Sequence, residues 1–343
     1  MKINSNDKSD YFLVKMAILY FALLSCALIS FWVGRYAVSP KIVLDIILYR
    51  FGLAEPYWEK TLETVVLNVR MPRIILAVLV GGALSVSGAS YQTLFKNPMV
   101  SPDILGVSAG AGFGAALAMV NNAMWWQVQI SALFFSVLAV FLTNFIGYVF
   151  ARQEITVMVL AGVVISSLFQ ALLAIVKTIA DPENALPSIT FWLMGSLGRA
   201  SNKDVLMMLP FLALSLVLLF FFRYQINALS AGSDEAATLG VNVPLVKLVV
   251  IASSTMMTTA SVCIGGIIGW IGLVAPHISR MLTGADYPKL ACASFGIGGL
   301  FLLVIDDVVR GAPGVELPLG VLTALVGTPV FVLLLSRVRK GWL

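Results

Sequence analysis

Charge is what this sequence has least of. Only 11% of its 343 residues are Asp, Glu, Lys or Arg, whereas a soluble domain carries about a quarter. Water is therefore not the main solvent of this chain. Histidine is scarcer still, with His277 alone, which excludes a multi-histidine metal site. The three cysteines, Cys26, Cys263 and Cys292, all fall in apolar runs. An odd count so placed argues against a disulfide framework or a metal cluster and for soft packing residues. No Walker A loop occurs, so the chain binds no ATP through a P-loop. A His-Glu-x-x-His run, paired mid-span aspartates and a serine–histidine set at matching depth are absent too, and with them the usual means of an intramembrane enzyme.

Apolar length is abundant. A transmembrane helix takes about 20 apolar residues to cross about 30 Å of hydrocarbon. Charge-free runs cover 74–95, 155–176, 205–222 and 317–336. A longer one, 104–151, is interrupted by Asn121-Asn122 and the Trp125-Trp126 pair, which reads as two spans with tryptophans at an interface. The run 248–279 also exceeds one span, and Gly265-Gly266 and Pro276 divide it into a full helix and a shorter one. With 290–305 and a first helix over about 13–34, kept rather than cleaved, the count is about ten. The expectation is an all-α polytopic membrane protein, one transmembrane domain over 1–343.

An even count puts both termini on one side. Twelve of the 22 basic residues fall on that side, in the N-terminal tail, at Lys96, Arg152, Arg223, Lys247, Arg280 and Lys289, and at Arg337, Arg339 and Lys340. That places it in the cytoplasm. The scattered basic residues form no groove-sized patch, so the net charge of +5 does not indicate a nucleic-acid partner.

Small residues are spaced for helix contact. Gly106, Gly110 and Gly114 recur every four residues and share one face, where a neighbouring helix comes close. They read as packing residues along a rigid bundle or a pathway, not as a dinucleotide loop, since no strand precedes them. Pro329 sits inside the last helix and kinks it.

Four constellations hold the remaining charge. Arg70-Met-Pro-Arg73 stands at the start of the second span, where two arginines oppose the helix dipole; they are either snorkelling interfacial residues or a dock for an acidic protein. Ser230 to Pro244 is a long loop in which Ser233, Asp234 and Glu235 read as a capped helix start and Gly240 as its stop. It is a surface turn or a short helix fitted to another protein. His277, in Pro-His-Ile-Ser-Arg280, lacks the partners of a base or a metal ligand and reads as structural. Asp306-Asp-Val-Val-Arg310 is a local ion network or a proton relay, and Glu316 opens the last helix. The scarcity of mid-span ions argues against the runner-up, an ion-coupled secondary carrier.

These constellations, with Lys96-Asn-Pro-Met99, Pro102-Asp-Ile-Leu-Gly-Val-Ser-Ala-Gly110, Phe191-Trp-Leu-Met-Gly-Ser-Leu-Gly198 and Gly272-Leu-Val-Ala-Pro-His277 between them, resemble the FecCD-type permeases over about 65–337. Those are membrane subunits of bacterial ABC importers for iron–siderophore complexes, haem and vitamin B12. The resemblance implies a type II ABC importer permease with ten helices, in a bacterial or archaeal cytoplasmic membrane. It implies a second permease copy, two cytoplasmic ATPases that bind and hydrolyse ATP, and an external binding protein. Arg70, Arg73 and Arg310 would dock that protein. Ser233, Asp234, Glu235, Ala236, Ala237, Leu239 and Gly240, in a loop over about 227–243, would couple to the ATPases. Thr156 would lie at a cytoplasmic constriction. The cargo would be a metal chelate, a ferric siderophore foremost, with haem, cobalamin or an oxyanion as alternatives. The chain itself would carry no cofactor and do no bond chemistry. One departure from the family pattern is Asp286-Tyr-Pro-Lys289, where an aspartate-histidine-arginine stretch is frequent.

Overall fold

The computed structural model describes residues 5–338 except 51, 54, 152–154, 313, 315 and 316. Arg152, Glu316, Arg339 and Lys340, used above, lie outside the described residues. All regular structure among the described residues is helical. Helix α1 (Ser5–Ser30) starts earlier and ends earlier than the hydropathy of 13–34 suggests. A connection follows that holds the short helix α2 (Pro40–Tyr49), capped by the Ser39 hydroxyl, which accepts from Ile42 N.

The second span begins at Lys60, ten residues before Arg70. Helix α3 (Lys60–Thr64) runs through one wide, i→i+5 bonded turn at Val65–Arg70 into α4 (Met71–Leu94). Pro72 has no N–H to give the Asn68 carbonyl, and a widened turn is how a helix passes such a gap. Arg70 and Arg73 are therefore well inside a helix, and the dipole conflict expected of a helix start does not arise.

Helices α5 (Val107–Val120) and α6 (Trp125–Ala151) meet at the Asn121-Asn122 turn, with Asn122 at φ 53°. Then come α7 (Ile155–Ile179), a short α8 (Ala185–Leu193) and α9 (Asn202–Phe221), capped by Ser201 with Asp204 returning the bond. Two short helices, α10 (Arg223–Ala231) and α11 (Ser233–Thr238), lead into α12 (Val243–Gly265). The break after α12 is a stretch of irregular backbone over 266–270, with Gly266 at φ 69° and Trp270 at φ 70°. Pro276 does not divide the run; it lies within α13 (Ile271–Thr283). Helices α14 (Tyr287–Gly311) and α15 (Leu319–Val338) complete the chain, with Pro329 inside α15.

Seven of these helices are long and apolar enough to cross a membrane, and α5 and α15 are shorter apolar ones. Adding α13 gives the expected ten. At 1.5 Å per residue, α13 is about 20 Å long and α8 about 14 Å, both shorter than the seven long spans.

Helix α4 is the central mast: 83% of its most apolar window is buried, against 28% for α6, α7 and α9. Its small residues explain this. A Cβ at Gly81 would run into the Gly298 carbonyl of α14, and a Cβ at Gly298 into the Gly81 carbonyl. Gly88 sits equally close to the Gly272 carbonyl of α13, the acceptor that Pro276 leaves without its i+4 donor. In lipid, where apolar burial between helices gains little, such backbone approach is what holds helices together. Gly110 and Gly114 behave as their spacing predicts, each against a backbone carbonyl of α6 (Phe135 and Ser131). Gly106 departs from that row. It is the left-handed residue before α5, at φ 87°, and it faces Ser166 of α7.

Neutral hydroxyls fill the interior. Ser87 and Thr258 share a 2.8 Å hydrogen bond, Ser90 and Tyr287 one of 2.7 Å, and Ser136 and Thr259 one of 2.8 Å.

Candidate functional site

Three regions gather the chemistry. At one end, α4 and α14 hold a buried ion network. Arg73 Nε donates to Asp306 at 2.9 and 3.1 Å, and Arg310 Nε lies 3.0 Å from Asp306 Oδ2. Arg310 also pairs with Asp307, which accepts a 2.6 Å bond from Ser30 of α1. The aspartates and Arg310 thus form a local network, the plainer of the two readings. Arg70 donates to the Phe31 and Tyr36 carbonyls. Gly34, at φ 147°, lets the chain pass, since a Cβ there would lie 3.0 Å from Arg70 Nη2. All three arginines are buried within this chain, Arg70 at 4%, Arg73 at 8% and Arg310 at 9% exposure. The sequence placed them together at one end, with no sign that they would be internally satisfied.

At the opposite end, α10 and α11 form the surface segment anticipated over 227–243. Gly232, not Ser233, is the N-cap, and no side chain caps α11. The Glu235 carboxylate instead folds back over Gly232, leaving no room there for a Cβ. Gly240, at φ 79°, closes the helix as expected, its N–H donating to Ala237 O. Ala236 is buried and Ser233 half-buried, whereas Asp234, Glu235, Ala237, Leu239 and Gly240 are exposed. The segment is tied to the bundle at two points. Lys96, just after α4, donates to Ala231 O at 2.8 Å. Asn227 donates to Asp286 at 3.2 Å and accepts from Tyr287 N at 3.1 Å, at the start of α14. Thr156 lies exposed at the first turn of α7. His277 is buried within α13.

Between the ends lies a feature that hydropathy does not reveal. The backbone around Gly195, after α8, meets the break 266–270 and the start of α15. Ser196 N donates to Gly265 O at 2.8 Å, Leu319 N to Gly195 O at 2.9 Å, and Gly320 N to Met194 O at 3.0 Å. Non-helical backbone at membrane depth is tolerated where it is satisfied in this way or lines a cavity. Here it does both. A cavity of 710 Å³ lies against Ile267, Trp270, Gly320 and Pro329. A second, of 680 Å³, lies against Trp125, Trp192, Arg199 and Pro318. The glycines of Phe191-Trp-Leu-Met-Gly-Ser-Leu-Gly198 were the available sequence signal.

A bundle of ten spans around such cavities, with an anchored surface helix at one end and an ion-stapled mouth at the other, defines a multi-pass membrane permease. The chain belongs to the FecCD transport family, which it matches over residues 22–337. It is 35% identical over 320 residues to the molybdate import system permease protein MolB of Haemophilus influenzae, covering 93% of this chain and 94% of that protein. It is 36% identical over 281 residues to the hemin transport system permease protein HmuU of Yersinia pestis, covering 80% and 84%. Among solved structures it resembles an inward-facing transporter of metal-chelate type, with a TM-score of 0.83 and 33% identity over 94% of this chain and 98% of that one.

Proposed function

We propose that this chain is the membrane-spanning subunit of an ATP-driven, binding-protein-dependent importer, with a metal chelate as cargo. A ferric siderophore leads; haem, cobalamin and an oxyanion are the alternatives, and relatives named for hemin and molybdate transport support that range. The observation that carries the mechanism is the pair of ties from α10–α11 to α4 and α14. Closure of two cytoplasmic ATPases would push on exposed Asp234, Glu235, Ala237 and Leu239. Lys96 and Asn227 would pass that push to α4 and α14. These two helices interlock backbone to backbone at Gly81 and Gly298, so they would move as one body. Packed interfaces of this kind switch between discrete arrangements rather than deform continuously.

In this reading the Arg70 end faces outward and both termini are cytoplasmic. Three arginines against Asp306 and Asp307 leave that network one positive charge in excess, which suits docking of an acidic binding protein. A second copy of the chain would complete the pathway, facing the cavities beside α8 and α15. ATP would be bound and hydrolysed in the partner subunits, with no cofactor in this chain.

The test is uptake of labelled chelate by cells that depend on this chain. Uptake should persist when a protonophore collapses the proton gradient while ATP is held constant. Rapid loss under that treatment would favour an ion-coupled carrier instead.

A further inference from the structure

The two cavities differ in charge. Among the described residues lining the 710 Å³ cavity, none is ionisable. Among the described residues lining the 680 Å³ cavity, Arg199 alone carries a charge. Its guanidinium lies 4.8 Å from the ring centroid of Trp125, and no carboxylate among the described residues pairs with it. The nearby Asp181 is engaged elsewhere, accepting from Asn184 Nδ2 at 2.8 Å and from Glu183 N at 3.2 Å. Glu316, one residue before the lining Leu317, lies outside the described residues. Trp192 also lines this cavity. It is 7% exposed, and its indole Nε1–H has no hydrogen-bond acceptor among the described residues. A buried donor without a partner costs free energy, and an indole N–H can only donate.

We infer that the 680 Å³ cavity is a selective anion site, taking a metal oxyanion or the oxygen face of an anionic metal chelate. The inference rests on the importer reading for its biological meaning but not for its chemistry. Arg199 supplies a planar fork of donors suited to paired oxygens. Trp192 Nε1–H supplies a neutral donor, and Asn122 and Asn184 add amides at the rim. Trp125, Phe191 and Trp192 line the cavity with aromatic rings, and of the two charged or N–H donors the indole of Trp192 is buried while the Arg199 side chain is exposed at the open side. Below the crossing at Gly195, Gly266 and Gly320 the lining turns uncharged, so an anion would be held at the upper cavity and not beyond it.

The test uses the full-length chain in lipid nanodiscs, with tryptophan fluorescence titrated by sodium molybdate, ferric citrate, a neutral ferric trihydroxamate and a cationic ferric hydroxamate. The anions should quench saturably and the other two should not. Molybdate acting alone would identify a free oxyanion site, and ferric citrate acting alone an anionic chelate site. Arg199→Gln should weaken anion binding by about tenfold, Arg199→Lys should retain most of it, and Trp192→Phe should weaken it by about fivefold. Equal quenching by the neutral chelate, or anion binding unchanged in Arg199→Gln, would overturn the inference. So would equal loss in Arg199→Gln and Arg199→Lys, which would make Arg199 a brace for Trp125. In cells, protonophore-resistant uptake of a neutral chelate that ignores Arg199→Gln would leave the importer standing and remove the anion site. Anion binding in nanodiscs without uptake of any probe would do the reverse.

Discussion

Arg73 and Asp306 are 233 residues apart in sequence and joined by a 2.9 Å hydrogen bond, with Asp306 fully buried. That bond fastens the mast helix α4 to α14, and Arg310 closes on the same carboxylate at 3.0 Å. One aspartate therefore bridges two buried guanidinium groups, with Asp307 supplying Arg310 a second carboxylate.

Asp306→Asn should consequently destabilise the protein strongly. Removing one member of a buried ion pair costs about 3–5 kcal/mol, because the other charge stays buried and uncompensated. Thermal unfolding in detergent should show a large drop, and Arg73→Met combined with Asp306→Leu should recover a substantial part of it. Additive losses in that double mutant would mean the two residues do not interact. The burial also limits what charge reversal at Arg73 or Arg310 can reveal about docking, since a glutamate there would sit against Asp306.

Arg70 offers a cleaner probe of that mouth. Its donors serve the Phe31 and Tyr36 carbonyls, so it tethers the connection between α1 and α3. Arg70→Gln should make residues 35–59 more sensitive to added protease, and binding-protein affinity should fall with it. An unchanged digestion pattern would remove the tether from the account.

The α4–α14 crossing should be intolerant of a single methyl group. Gly81→Ala and Gly298→Ala each push a Cβ into a facing carbonyl and should cost about 1–3 kcal/mol, the usual range for overpacking. Gly269→Ala, where nothing lies within 4 Å of the added Cβ, should stay within about 0.5 kcal/mol. The comparison is made by unfolding temperature, and equal effects at the three sites would contradict the close crossing.

Coupling should be separable from folding. Glu235→Arg and Leu239→Asp alter exposed side chains of the α11 segment, so stability should hold within about 0.5 kcal/mol while ATP hydrolysis proceeds without uptake. Asn227→Ala breaks two bonds to the start of α14 and should cost about 1–2 kcal/mol as well as lowering uptake per ATP. Full coupled transport in Glu235→Arg would remove the segment from the ATPase contact.

Much of this architecture was written in local composition. Solvent choice, span number and the break at Asn121-Asn122 follow from apolar runs, because a helix in lipid must satisfy its backbone within about 20 residues. The glycine spacing of α5 likewise announced contact with a neighbour, and Gly240 announced a helix stop. Other features depended on which distant elements meet. Arg70 and Arg73 looked like charges at an exposed helix start, yet the helix begins at Lys60 and their partners come from α14 and the segment after α1. Pro276 looked like a break, yet the carbonyl that it strands faces Gly88 of α4. The apolar runs counted from the sequence pass over α8, a short helix after which the chain turns at Gly195 onto α12 and α15. Sequence alone determined that the chain lives in lipid and where it turns. Tertiary structure decided which charges are paired internally and which, like Arg199, are left facing a cavity, because pairing depends on side chains that only packing brings within reach.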